Sequence, residues 1–323
     1  MMAAAVATGL RRVECQEIEA PRAEPGKVLV RTSLASICGS DLHAVYMGWN
    51  VTEFPLPHGH PGHEGVGVVV DGGSSDFVAG EPVLTVPRVR LARTFAGFQL
   101  IDPESLLRLP EGPPASHLLM AQQLGTVIHG CRRLPPLAGK TVAVVGQGSA
   151  GLLHDFVLRR LGAERIIAIE PVAARLAAAT RLGVDDVIDV TGDAATDAVM
   201  ELTGGQGADV VIEAVGSVET LNQALAMARM LGHVGVFGLP PTMEKVPFDW
   251  DTFSRRRLNL YAPRGAQEEP GLPAFRLALD AIASGEIDAS PFATHQLPIA
   301  RVQDAFDLAH ERGDGALKVS LTF

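Results

Sequence analysis

One segment concentrates side chains able to hold a metal or move a proton. Residues 36–70, SICGSDLHAVYMGWNVTEFPLPHGHPGHEGVGVVV, contain one cysteine, four histidines and several carboxylates separated by glycines. Zinc prefers thiolate sulfur and imidazole nitrogen, and a catalytic zinc takes three protein ligands while keeping one position open. Cys38 and His63 are the natural first pair. An isolated cysteine is usually a buried small hydrophobe, so the neighbours decide. Ser40 and His43 follow Cys38 closely and put a hydroxyl and an imidazole on the same loop. Asp41 is suited to hydrogen-bond the free nitrogen of His63, the usual support of a ligand histidine. Glu64 adds a carboxylate directly after His63. His58 and His60 offer further imidazoles, for which a loop-surface or pocket-wall role is the better reading than ligation.

A second constellation is Gly146-Gln147-Gly148-Ser149-Ala150-Gly151. A bare G-x-G-x-x-G is weak, but here an apolar strand precedes it and a helix-length pattern follows. A second strand then ends in Glu170, close to the separation of about 20 residues expected of a dinucleotide fold. Gly146 permits the tight turn, Gly148 lets the backbone approach a pyrophosphate, and Gly151 lets the helix pack on the strand. The helix N-terminus offers unbonded N–H groups and a positive dipole end. Glu170 accepts hydrogen bonds from the adenosine ribose and repels a 2′-phosphate, which favours NAD over NADP. Arg175 is set to flank the adenosine. The alternative is an ordinary tight turn with a solvated glutamate.

The elements that position these groups differ along the chain. Before about residue 115, short β-branched runs are punctuated by Gly and Pro ("KVLVRTSLAS", "GVGVVVDGG", "GEPVLTVP"), which predicts a β-rich unit. Beyond it, "TVAVVG", "RIIAIE", "ADVVIEAVG" and "HVGVFGLP" alternate with helix-length patterns, the last of them running to Gly232. That alternation predicts a parallel sheet covered by helices, with "LNLYA" as its last strand. The tail carries two helices and the strand "ALKVSLTF", which either extend the sheet or fold back on the first unit.

The totals bound the function. A chain of 323 residues, 47% hydrophobic and 20% charged, fits one large or two ordinary domains. A net charge of −10 disfavours nucleic acid. Three cysteines form a poor disulfide framework and point to a reducing compartment. "MMAAAVATGLRR" is too short and weakly apolar for a signal peptide, and no run reaches membrane-span length, so a cytoplasmic location without a membrane partner is expected. Cys15 reads as a strand residue, His129 and Cys131 as helix packing, and His154 as a helix residue without a catalytic partner. Arg255-Arg256-Arg257 reads as a solvated strand edge or loop.

Taken together, "CGSDLH", "GHEGVGVV", "GQGSAG" and "ALKVSLTF" resemble the zinc-dependent medium-chain alcohol and polyol dehydrogenases, in order and over essentially the whole chain. The resemblance implies an α/β protein with a GroES-like β-rich catalytic domain (1–123 and 267–323) and a Rossmann NAD-binding domain (124–266). It implies that the tail returns to the catalytic domain and that the chain forms a homodimer or homotetramer. Carried over by position, Cys38 and His63 are zinc ligands, Ser40 and His43 a proton relay, and Asp41 the support of His63. Glu64 is an acid beside the metal that can approach it as an alternative ligand. Lys318 falls near the cofactor phosphates and Trp49 near the substrate pocket. Two departures stand out. The segment "TVPRVRLARTFAGFQLIDPESLLRLP" lacks the cysteines of the family's structural zinc lobe, so one catalytic zinc is expected. The third ligand position is occupied by Gln122, whose neutral amide leaves the zinc with a net charge of +1. The expected activity is hydride transfer between NAD and a small-molecule secondary alcohol, polyol or amino-sugar-type hydroxyl. The alternatives are a metal-free NAD(P)H-dependent reductase of the same fold, or a non-catalytic NAD-binding protein.

Overall fold

The computed structural model describes residues 1–240, 242 and 244–323. The chain forms two compact units, Met1–Gly125 with Gly265–Phe323, and Thr126–Arg264. The first opens with the antiparallel pair β1 (Met2–Gly9) and β2 (Arg12–Ile18). Then come β3 (Val28–Ser36), α1 (Gly39–Met47), β4 (Glu64–Asp71), β5 (Pro82–Thr85), β6 (Phe98–Ile101) and β7 (Leu106–Arg108). The short helix α2 (Ala115–Leu118) precedes α3 (Ala121–Cys131).

The second unit alternates strand and helix, as the apolar runs predict. It holds β8 (Thr141–Val145), α4 (Ser149–Arg160), β9 (Arg165–Ile169), α5 (Ala173–Arg181), β10 (Asp186–Ile188) and α6 (Gly192–Leu202). It continues with β11 (Ala208–Glu213), α7 (Val218–Met227), β12 (Ala228–Val236), α8 (Trp250–Arg256) and β13 (Asn259–Tyr261). These strands make one parallel sheet in the order β10-β9-β8-β11-β12-β13. Counted within the unit this is 3-2-1-4-5-6, the doubly wound Rossmann order, whose ligand crevice lies at the strand C-termini where the winding reverses. That point falls between β8 and β11. The core beneath is β-branched and fully buried, with Ile167, Ile169, Val211 and Val234, as a parallel sheet requires. The helix expected to reach Gly232 stops at Met227, because Leu231 adopts a left-handed conformation (φ 60°) and the chain has already joined the sheet.

The tail rejoins the first unit through α9 (Pro273–Ala283), β14 (His295–Pro298), α10 (Val302–Glu311) and β15 (Val319–Thr322). β15 runs antiparallel to β3, completing a seven-stranded sheet with the path β14-β15-β3-β4-β5-β7 and β6 beside β3. Phe95 and Phe306 meet edge-to-face at 5.6 Å in this unit's core, joining the tail helix to the loop that packs on Gly62. No helix among the described residues is long and apolar enough to cross a membrane.

Candidate metal centre and dinucleotide turn

The register of β3 and β4 sets Ser36 opposite Glu64. The chain leaving β3 at Cys38 therefore meets the chain entering β4 at His63. Ligand atoms of Cys38, His63 and Glu64 all lie within 4.8 Å of one another. His63 and Glu64 are buried and Cys38 is half-buried. The glycines flanking this dipeptide are needed for closeness: a Cβ at Gly62 would strike the Phe95 ring, and one at Gly65 the Thr94 side chain.

Ser40 and His43 lie on a helix rather than the expected loop. Cys38 is the N-cap of α1, Asp41 at the third helical position accepts the Cys38 N–H at 2.9 Å, and Gly48 ends the helix at φ +67°. The capping pattern Cys-x-x-Asp with a glycine beyond the last turn was the available sequence signal. Asp41 does two jobs. While Oδ2 caps the helix, Oδ1 stands 3.1 Å from His63 Nδ1, which also lies 3.2 Å from the Pro61 carbonyl. Orientation through Nδ1 leaves Nε2 as the metal-binding nitrogen, the arrangement ligand histidines use. Burial opposes charging of the His63 ring, but Asp41 and the hydrogen-bonded Cys38 outweigh it and raise its pKa well above the usual value. A metal ion at this position displaces that proton.

Glu64 is held from behind. It accepts a hydrogen bond from Ser36 Oγ and pairs with Lys318 Nζ at 2.6 Å, both partners of the ion pair being almost fully buried. Burial pushes the Glu64 carboxyl up, yet Lys318 and His63 hold it below the ordinary carboxylate range. Burial likewise works against the Lys318 ammonium, while Glu64 and Cys38 keep its pKa raised. The pair is ionic. The structure thus seats Lys318 against Glu64, to which its amine is committed. Ser36, also part of this support, carries no motif of its own and becomes visible only through strand register.

Gln122, in the first turn of α3, is buried and donates Nε2 to the His63 carbonyl at 3.1 Å. With Nε2 engaged in this contact, Oε1 is the amide atom left to act as an oxygen donor. His43, three residues after Ser40, shares a face of α1 with it. Its ring meets Trp49 edge-on at 6.2 Å, and its buried Nδ1 has no hydrogen-bond partner among the described residues. Burial and then the Arg312 charge lower its pKa. The donor set therefore suits zinc, with a thiolate, an oriented imidazole and an oxygen donor from Gln122 or Glu64.

In the second unit, Gly146 takes φ +91° as β8 turns into α4. A Cβ at Gly151 would collide with the Gly146 carbonyl, so helix and turn approach as only glycine allows. Gly148 is the N-cap of α4 and supplies no side-chain cap, leaving the first-turn N–H groups for an anion. Glu170, beyond β9, is buried and accepts the N–H of Gln147 at 2.8 Å and of Val172 at 3.2 Å. Arg175 lies 3.6 Å from Oε2, the same oxygen that accepts the Gln147 N–H. The acid is thereby tied to the glycine turn itself.

The remaining candidates separate from both sites. His58 is exposed, and His60 Nδ1 lies 3.3 Å from the Ala92 carbonyl and from Arg93. Cys15 is half-buried on β2, and burial pushes the Cys131 thiol up to about 12. Burial pushes His154 down to about 4 while Nδ1 bonds the Ala150 carbonyl at 2.8 Å. Arg255 and Arg256 end α8 rather than lie in a strand edge or loop; Arg255 pairs with Asp251 and Arg256 caps the Ala226 and Ala228 carbonyls.

A Rossmann-ordered sheet with a glycine turn, and a β-rich unit in which Cys38, His63 and Glu64 converge, fit a nicotinamide-linked metal-dependent oxidoreductase. Residues 24–97 match the alcohol dehydrogenase GroES-like domain and residues 151–283 match the zinc-binding dehydrogenase family. An L-idonate 5-dehydrogenase from Vitis vinifera is 29% identical, covering 96% of this chain and 92% of the relative. A sorbitol dehydrogenase from Arabidopsis thaliana is 28% identical, covering 98% and 94%. An alcohol dehydrogenase structure from Thermus sp. ATN1 superposes with a TM-score of 0.82 at 27% identity, covering 99% of each chain. A zinc-binding dehydrogenase from Sinorhizobium meliloti bound to NADP superposes with a TM-score of 0.84 at 25% identity, covering 100% and 99%. The chain belongs to the zinc-dependent medium-chain alcohol and polyol dehydrogenases. It is an oxidoreductase acting on the CH–OH group of alcohols with a nicotinamide cofactor.

Proposed function

We propose that the protein oxidises a secondary alcohol or polyol with NAD at a single zinc held by Cys38, His63 and Gln122, with Glu64 as the alternative ligand. The observation that carries this reading is the buried convergence of Cys38, His63 and Glu64 within 4.8 Å, with Asp41 orienting the imidazole. Bound zinc supplies a Lewis acid that lowers the pKa of a substrate hydroxyl, and bound NAD supplies the hydride acceptor. The substrate carbon gives up a hydride and its oxygen a proton, leaving a carbonyl. Ser40 takes the hydroxyl proton and passes it to His43, which releases it to solvent. The lowered pKa of His43 keeps its ring neutral and able to accept that proton at neutral pH. Trp49 packs against the relay histidine and lines the substrate side.

Glu170 favours NAD, because a buried carboxylate at this position disfavours a 2′-phosphate; the neighbour bound to NADP makes the comparison of the two cofactors informative. The polyol reading is supported by the names of the idonate and sorbitol dehydrogenases among the relatives. A homodimer or homotetramer is supported by the open edge of β13, where Leu260 is exposed. Three free cysteines support a cytoplasmic setting.

The test is hydride transfer to NAD and to NADP over a panel of alcohols, polyols and amino sugars. Within it, Ser40→Ala is expected to lower kcat by about 10²-fold or more and leave the Kd for NAD unchanged. The rate should also fall in acid as His43 protonates and can no longer accept. Equal losses in kcat and NAD affinity would remove Ser40 from the relay. Turnover undiminished after complete removal of zinc would favour the metal-free reductase.

A further inference from the structure

The C-terminal ends of β11 and β12 meet at a buried acid that the mechanism does not use. Glu213 closes β11, in register with Val145 of β8 and Val236 of β12, and is only 1% exposed. Its Oε1 accepts three hydrogen bonds, from the Val215 N–H, the Gly216 N–H and the Thr220 hydroxyl, each at 2.8 Å. Burying a carboxylate is costly unless donors meet it, and here all three donors come from the β11–α7 connection and the first turn of α7. The Glu213 backbone carbonyl accepts the Phe237 and Gly238 N–H groups, both at 2.9 Å, and so ties in the segment leaving β12. The two segments approach as only glycine allows. A Cβ at Gly238 would strike the Gly216 nitrogen and Glu213 Oε2, and one at Gly216 would strike the Leu239 backbone.

The same connection reaches the dinucleotide turn. The Ala214 N–H bonds the Val145 carbonyl at 2.9 Å, and a Cβ at Gly146 would collide with the Val215 side chain. A Rossmann sheet is built of two mononucleotide-binding halves, and a dinucleotide lies across the point where they meet. With the adenosine half at Glu170 beyond β9, the nicotinamide half falls over the ends of β11 and β12. We propose that Glu213 is a positioning residue for the nicotinamide: its carboxylate and carbonyl lock segments 214–217 and 237–239 together as one floor beneath the reactive ring. The proposal rests on the reading that NAD binds at the glycine turn. Glu213 acts through these segments, since its own oxygens are turned to the loop and are buried. Hydride transfer is steep in donor–acceptor geometry, so a floor that shifts by a fraction of an ångström lowers the rate even where the rest of the cofactor still binds.

The experiment compares wild type, Glu213→Leu and Glu213→Gln by kcat at saturating NAD and by titration with ADP-ribose, which carries the adenosine and both phosphates but no nicotinamide. Leucine removes the acceptor, and kcat should fall roughly tenfold or more while the Kd for ADP-ribose stays at the wild-type value. Glutamine keeps an acceptor oxygen for the three donors, so its kcat should return most of the way to wild type. Should the leucine variant fail to fold, Thr220→Val against Thr220→Ser asks the same question from the donor side. Valine removes one hydrogen bond to Oε1 and should lower kcat by about threefold, and serine, which keeps the hydroxyl, should not. The proposal is overturned if ADP-ribose affinity falls in step with kcat, which would make Glu213 a support of the whole unit. It is equally overturned if kcat is unchanged without the acceptor, or if glutamine loses as much as leucine. Failure of wild type to bind either NAD or ADP-ribose would instead overturn the dinucleotide reading.

Discussion

Replacing Cys38 by serine should empty the metal site and lower kcat/KM for the alcohol by about 10³-fold. Cys38 is the only sulfur donor in the cluster, and no other cysteine is near enough to replace it: Cys15 lies on β2 and Cys131 on α3. Loss of the soft ligand leaves an imidazole and oxygen donors, which hold zinc less well. Affinity for NAD should be unchanged, because the glycine turn belongs to the second unit. Zinc analysis, alcohol kinetics and NAD titration on the same preparation check all three parts. A Cys38→Ser enzyme that keeps wild-type turnover with no bound zinc would remove the metal from the mechanism.

The second large effect concerns stability. Replacing Lys318 by methionine strands Glu64 as an unpaired carboxylate that is almost fully buried, at an expected cost of about 3–5 kcal/mol. Urea denaturation of the variant measures this. The double variant Glu64→Gln, Lys318→Met should recover much of the loss, since a buried pair replaced whole by neutral groups is often close to neutral in stability. The pH dependence has a definite sign. The Glu64 carboxyl is held below its ordinary pKa in the fold, so its contribution is present above the unfolded carboxyl pKa and is lost as pH falls through the folded value. Acid should therefore narrow the gap between wild type and the double variant. A Lys318→Met protein as stable as wild type would mean that Glu64 finds another counter-charge.

Much of this architecture can be read from residue pattern. Alternating apolar strands and helix-length segments predict the parallel sheet, and the glycine turn with Glu170 is local in sequence, so spacing suffices. The cluster of Cys38, His63 and Glu64 is almost as legible, because the glycines on both sides of His63-Glu64 announce a crowded approach. What escaped was set by long-range register or by capping. The α1 helix starts on a cysteine, which is not an expected cap, so Ser40 and His43 read as loop residues. Ser36 acquires its partner only when β3 and β4 are aligned, and Lys318 only when β15 arrives beside β3 from the end of the chain.

The central claim is that one zinc, bound by Cys38 and His63, makes the alcohol chemistry possible. Zinc content per subunit, measured on purified protein alongside turnover before and after chelation, tests it most directly. The account predicts about one zinc per subunit, with activity lost on its removal and restored by added zinc. Protein that holds no zinc after exposure to an excess of it, yet oxidises alcohol at full rate, would contradict the account.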